Sequence, residues 1–190
     1  MPHMINRPTP VVVILLAAFV LAGCSGIFGN TPREQADDAI SSANRSISEH
    51  NELFDEARST YSSVKESIEA GDDPSTEKGD ITEAKNTLQQ ARQDLQDARG
   101  SLETVPDLDV DPAVKQYASL LSKAMDEQLD AEAKEIEFYG ILETDPGLQD
   151  NRKKAYDLLA EVGDGYMSAQ KTYAKAKNFA DSHPKLIEAN

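Results

Sequence analysis

Residues 80–105 read DITEAKNTLQQARQDLQDARGSLETV. Apolar residues fall at Ile81, Ala84, Leu88, Ala91, Leu95, Ala98, Leu102 and Val105, stepping three and four. That spacing returns to one face of a helix, whereas a half-buried strand alternates every second residue. The large residues Ile81, Leu88, Leu95 and Leu102 share one heptad position, and Ala84, Ala91 and Ala98 fill the other. Such a stripe needs a partner whose bulky and small positions are complementary.

The preceding segment supplies one. Ala36, Ile40, Ala43, Ile47, His50, Phe54, Ala57, Tyr61, Val64 and Ile68 alternate steps of four and three. Its large residues again hold one position while mostly Ala holds the other. Antiparallel pairing in a register where numbers sum to 152 sets bulk against alanine in Ile68/Ala84, Tyr61/Ala91, Ala57/Leu95 and Phe54/Ala98, and pairs Val64/Leu88, His50/Leu102 and Ile47/Val105 beside them. Parallel pairing would overpack some layers and leave voids in others. In this register residues 32–46 overhang the second helix, as a stalk or packed on later helices.

Capping signals set the ends. Thr31-Pro32-Arg33-Glu34 reads as a capping box, and Gly71-Asp72-Asp73-Pro74 stops the first helix. Asp80-Ile81-Thr82-Glu83 reads as a second box. Asp111-Pro112 and Asp145-Pro146 open the third and fourth helices. The third stripe runs Val114, Tyr117, Leu121, Ala124 or Met125, then Ile136, Phe138 and Leu142. The fourth runs Leu148, Arg152, Ala155, Leu159, Val162, Tyr166, Ala169, Tyr173, Ala176 and Ala180 and ends at Ser182-His183-Pro184. Pairs such as Ala124/Tyr166 and Leu121/Ala169 join these two, leaving Gln128, Glu135 and Arg152 near the seam. The expectation is an all-α fold, an antiparallel up-down-up-down four-helix bundle over 32–183. Its helices span about 32–70, 80–105, 112–143 and 146–181, before a tail at 184–190.

The 190 residues carry 34 Asp+Glu against 19 Lys+Arg, a net charge of −15. Such an excess repels a phosphate backbone, so no nucleic-acid partner is expected. One Cys excludes an intrachain disulfide framework and a cysteine-cluster metal site. The three His (His3, His50 and His183) are scattered.

The N-terminus reads as an address. Arg7 gives a positive start, Val11 to Val20 an uncharged apolar run, and small residues follow. The apolar stretch is short of the roughly 20 residues that span a bilayer. Met4 could equally be the start. Leu21-Ala22-Gly23-Cys24 resembles the lipobox of bacterial lipoproteins at all four positions. The resemblance covers only residues 1–24 and implies a signal peptide over 1–23, cleavage after Gly23, and transfer of a lipid (palmitate among its chains) to the Cys24 thiol. More than one chain gives stable anchoring. Residues 24–31 would be a lipidated tether reaching about 20 Å, which keeps the domain near the membrane. The chain ends and the 106–111 loop would lie at the membrane end, and the 70–80 and 143–147 loops at the far tip. By resemblance to lipoproteins of diderm bacteria, Ser25 after Cys24 favours the outer membrane.

No catalytic constellation appears. His50 reads as a polar seam residue that helps fix register, with a ligand or proton carrier as the alternative. The Glu-x-x-His pairs of di-iron bundles are absent, since Ile47 and Ala180 stand three before His50 and His183. Asp107-Leu108-Asp109-Val110-Asp111 starts like a calcium loop, but Pro112 and Ala118 stand where an EF-hand needs Gly and Glu. Ser62 precedes Lys65 by three on a surface helix face, without a pocket signature. Gly163-Asp164-Gly165 reads as a kink or a close helix contact. Lys171, Lys175, Lys177 and Lys185 either favour a helix C-terminus or meet anionic headgroups. Met125, Leu129, Ile136 and Tyr139 exceed one narrow stripe and offer a homo-oligomer surface.

The sequence therefore predicts a lipid-anchored extracytoplasmic lipoprotein of the cell envelope. It is read as a non-catalytic binding or structural element with no cofactor and no metal site. The membrane and an envelope protein are the expected partners. The alternative is a module holding a small ligand or a divalent cation; an enzyme is the third and least favoured reading.

Overall fold

The structure, a computed structural model, describes residues 30–184. Gly23, Cys24 and the apolar run before them lie outside the described residues, as do His3 and Lys185. Four long helices make up the fold: α1 Pro32–Ala70, α2 Lys78–Leu102, α3 Pro112–Thr144 and α4 Arg152–Ser182. Short 3₁₀ turns at Pro74–Glu77 and Val105–Asp107 link the first three. No strand occurs among the described residues. α1 packs on α2, α2 on α3 and α3 on α4.

Local chemistry fixes most ends. The Thr31 side chain accepts from the Glu34 amide while Glu34 accepts from the Thr31 amide, closing the box. Gly71 ends α1 at φ 108°, in the left-handed region that favours glycine. The Asp111 carboxylate caps α3 through the Ala113 amide.

Two expected starts differ. α2 begins at Lys78, and no side chain caps it, so Asp80 sits inside the first turn instead of before it. α4 begins at Arg152, not near Pro146. Asp145 turns its carboxylate onto the backbone amides of Gln149, Asp150 and Asn151, satisfying them in a loop instead of starting a helix. Leu148, with φ 49°, belongs to that loop.

The alanines of α1 and α2 at these steps are buried. Ala84, Ala91 and Ala98 are fully enclosed, as are Ala36, Ala43 and Ala57, and Leu88, Leu95 and Leu102 stand beside them. Each such leucine contributes roughly 1.5–3 kcal/mol by leaving water. The apolar core falls into two clusters. One gathers Ala36, Ala43, Ile47, Leu102, Val114, Leu121, Tyr173 and Ala176; the other gathers Val64, Ile81, Leu88, Phe138, Tyr139 and Leu158. Ala36 and Ala43 in the first cluster show that the early turns of α1 pack on the later helices and are no free stalk. Met125, Leu129 and Tyr139 are buried too, so the oligomer surface expected on α3 is taken up inside the fold.

α4 runs unbroken through Gly163 and Gly165. A Cβ on Gly165 would stand 2.8 Å from the Ala131 Cβ, so this glycine marks the close approach of α3 and α4. The contact replaces the expected Ala124/Tyr166 pairing, because the later start of α4 shifts the register. Gly165→Ala should therefore destabilise the fold by about 1–2 kcal/mol, overpacking outweighing the gain in helix propensity. Gly163→Ala meets open space and should stabilise by up to about 1 kcal/mol. Urea unfolding of both variants checks the pair, and equal shifts would contradict this packing.

Candidate functional site

Between the two apolar clusters lies a band of buried polar groups. α3 provides most of it. Its buried face continues Leu121, Met125, Gln128, Glu132, Glu135, Tyr139 and Leu142, so three polar residues occupy successive inward positions. α1 contributes His50, Phe54, Arg58 and Tyr61; α4 contributes Tyr166.

Glu132 is 0% exposed and His50 1%. His50 Nε2 lies 2.8 Å from Glu132 Oε1, and Gln128 Nε2 donates to the same oxygen at 3.0 Å. The other ring nitrogen, Nδ1, faces Asn51 Oδ1 at 3.1 Å. Glu132 Oε2 has no partner among the described residues. A buried carboxylate is tolerated only when paired and hydrogen-bonded, so His50 and Gln128 are what keep Glu132 inside.

Glu135 forms a second centre one turn on. Its Oε1 accepts from Tyr139 at 2.8 Å and its Oε2 from Tyr166 at 2.6 Å. Burial first, then the Glu135 charge, holds both phenols well above their ordinary range. They therefore stay protonated and donate. Tyr61, packed on Phe138 and Tyr139, is pushed up to about 12, chiefly by burial and then by Glu135. Burial also raises Tyr173, with Glu132 adding to it. Phe54 stacks on His50 at 5.4 Å and meets the Tyr166 ring edge-on at 5.5 Å. The Arg58 guanidinium lies 5.2 Å from the Phe54 ring and 5.3 Å from that of Tyr166, a cationic lid on the aromatic pair.

Chemically, the band combines two interior carboxylates, one imidazole and phenols held as donors. In this conformation the enclosed His50 and Glu132 present no atom to a dissolved reactant. Among the described residues no group of three or more His, Cys, Asp or Glu is placed to hold a metal ion. His50, read from sequence as a solitary seam residue, has a carboxylate partner that the reading missed. Gln128 and Glu135, expected near a seam, are buried in this band, while Arg152 is exposed.

The remaining candidates sit elsewhere. Asp111 is occupied as a helix cap, and Ser62 and Lys65 are exposed on α1. Lys177 pairs with Asp181 of its own helix, and no basic residue stands in the last turn of α4. Cys24 and Gly23 are outside the described residues. No helix of the described residues is long and apolar enough to cross a membrane. Compared with known proteins, the chain matches no family model, no curated protein and no solved structure.

Proposed function

We propose that the chain is a lipid-anchored extracytoplasmic lipoprotein whose helical domain is a non-catalytic binding or structural element of the cell envelope. The carrying observation is Leu21-Ala22-Gly23-Cys24 directly after an uncharged apolar run. Thr31, seven residues after Cys24, already caps the first helix. A tether that short keeps an acidic domain within about 20 Å of the lipid.

The domain itself we read as an antiparallel up-down-up-down bundle with alanine/large heptad seams. Cross-helix ion pairs support this reading. Lys85 pairs with Glu143 and Arg99 with Asp126, so numbers rise along α2 as they fall along α3. Lys134 with Glu161 and Lys154 with Glu137 give the same sense between α3 and α4. His50 with Glu132 and Tyr61 with Phe138 run the same way along α1 and α3, as alternate helices of such a bundle must.

Cells fed labelled palmitate test the anchor. The natural chain should take up label, and Cys24→Ser should take up none while keeping residues 1–23 and running as the heavier band. Equal labelling of the two would contradict the reading. One observation favours the alternative, an interior ligand or divalent-cation module: the unpartnered, fully buried Glu132 Oε2. A rise in melting temperature with added calcium, lost in Glu132→Gln, would support it.

A further inference from the structure

The outward face of α4 carries Tyr156, Ala160, Gly163, Met167, Gln170 and Ala174, stepping four and three, all exposed. Among the described residues the large hydrophobics that stand clearly in solvent are Tyr156 at 56%, Met167 at 51% and Leu159 at 37%, and all three are on this helix. A helix with a buried face on one side and this stripe on the other has two packing surfaces, and the fold uses only one. Gly163 and the flanking alanines leave room for another backbone to approach closely.

The charges beside the stripe state what fits. Asp157 and Asp164 lie along one edge in the first half of α4, and Lys171 and Lys175 along the same edge in the second half. At 100° per residue, Asp157 and Lys175 point in the same direction five turns apart. Asp164, Lys171 and Lys175 make no ion pair among the described residues, while Asp157 bonds only Lys153 of its own helix. We propose that this face docks a second copy of the chain, α4 against α4, antiparallel about a two-fold axis at Met167. Each acidic half then meets the other copy's basic half, Asp164 opposite Lys171 and Asp157 opposite Lys175, with Ala160 opposite Ala174. A parallel pair would set Asp on Asp and Lys on Lys, which costs affinity.

The axis has a consequence for placement, independent of whether the anchor exists. Ala36 and Ala176 share one core cluster, so the start of α1 lies at the C-terminal end of α4. The two N-terminal ends of the pair are therefore held apart by about the length of α4, roughly 45 Å for its 31 residues. Two copies tethered to one bilayer can form this pair only by lying along it.

Mild oxidation of whole cells making the full chain, with the chain recovered from membrane and soluble fractions alike, tests the pairing. Met167→Cys should give a disulfide-linked dimer, while the natural chain and Glu83→Cys, on the exposed face of α2, should not. Ala160→Cys and Ala174→Cys, made together with different tags, should join to each other and not to themselves. Adding Asp164→Lys to Met167→Cys should cut the dimer yield several-fold, and Lys171→Asp on top of it should restore the yield. The inference is overturned if Met167→Cys crosslinks no more than Glu83→Cys, or crosslinks mainly to another polypeptide. Self-joining of Ala160→Cys, or no restoration by the charge swap, would overturn it as well.

Discussion

His50→Leu is expected to cost the fold about 1–3 kcal/mol, the usual loss when a buried polar group is left without its hydrogen-bond partner. Glu132 has no exposure, one oxygen already without a partner, and only His50 and Gln128 on the other. Removing the imidazole leaves an interior carboxylate held by a single amide. Glu132→Ala should lose a comparable amount, since it strands His50 and Gln128 and opens a cavity. The triple variant His50→Leu, Gln128→Met, Glu132→Met should recover most of this loss or exceed the natural stability, because similar apolar volumes remove the desolvation penalty altogether. Equilibrium urea unfolding followed by circular dichroism measures all three. A cost below about 1 kcal/mol for His50→Leu, or a triple variant as weak as the single ones, would show that the band does not hold Glu132 as described.

Alkali should unfold the domain cooperatively above pH 10. Five tyrosines, Tyr61, Tyr117, Tyr139, Tyr166 and Tyr173, are raised in the fold, in each case chiefly by burial. Below pH 10 both folded and unfolded chains keep these protons, and the contribution to stability is complete. Above it the unfolded phenols ionise while the folded ones do not, so stability falls as pH rises, up to about 12 for Tyr61 and further for the more strongly raised groups. Each such phenol removes about 1.4 kcal/mol per pH unit. Several acting together exhaust a typical stability of about 5–15 kcal/mol within one or two units. Absorbance at 295 nm and helicity should therefore change together, in one steep transition. Smooth ionisation near pH 10 with the helices intact would contradict the burial of these rings against Glu135 and Glu132.

The helices α1 and α2 are legible because their chemistry is monotonous: small and large apolar residues recur at helical steps, and a capping box and Gly71 close α1. The polar band is not, although its signal is present. Gln128, Glu132 and Glu135 continue the four-and-three stepping from Met125 to Tyr139, but polar residues in a stripe read as a gap in it. A histidine in a stripe points to His or Cys companions, as a metal site would need, whereas the partner of His50 is a carboxylate on another helix. The start of α4 misled for a different reason. Asp145-Pro146 has the same form as Asp111-Pro112, yet Gly147 and Leu148 turn the chain so that the Asp145 carboxylate meets loop amides. The resulting shift of α4 puts Gly165 on Ala131, a contact that depends on loop geometry and not on periodicity.

The most direct test is the mass of the mature N-terminal peptide, taken from membranes of cells making the full chain. The proposed lipid anchor predicts that the peptide starts at Cys24 and carries a diacylglycerol joined to the Cys24 sulfur as a thioether. A mature chain that starts elsewhere, or one whose Cys24 is found as an unmodified thiol, would contradict it.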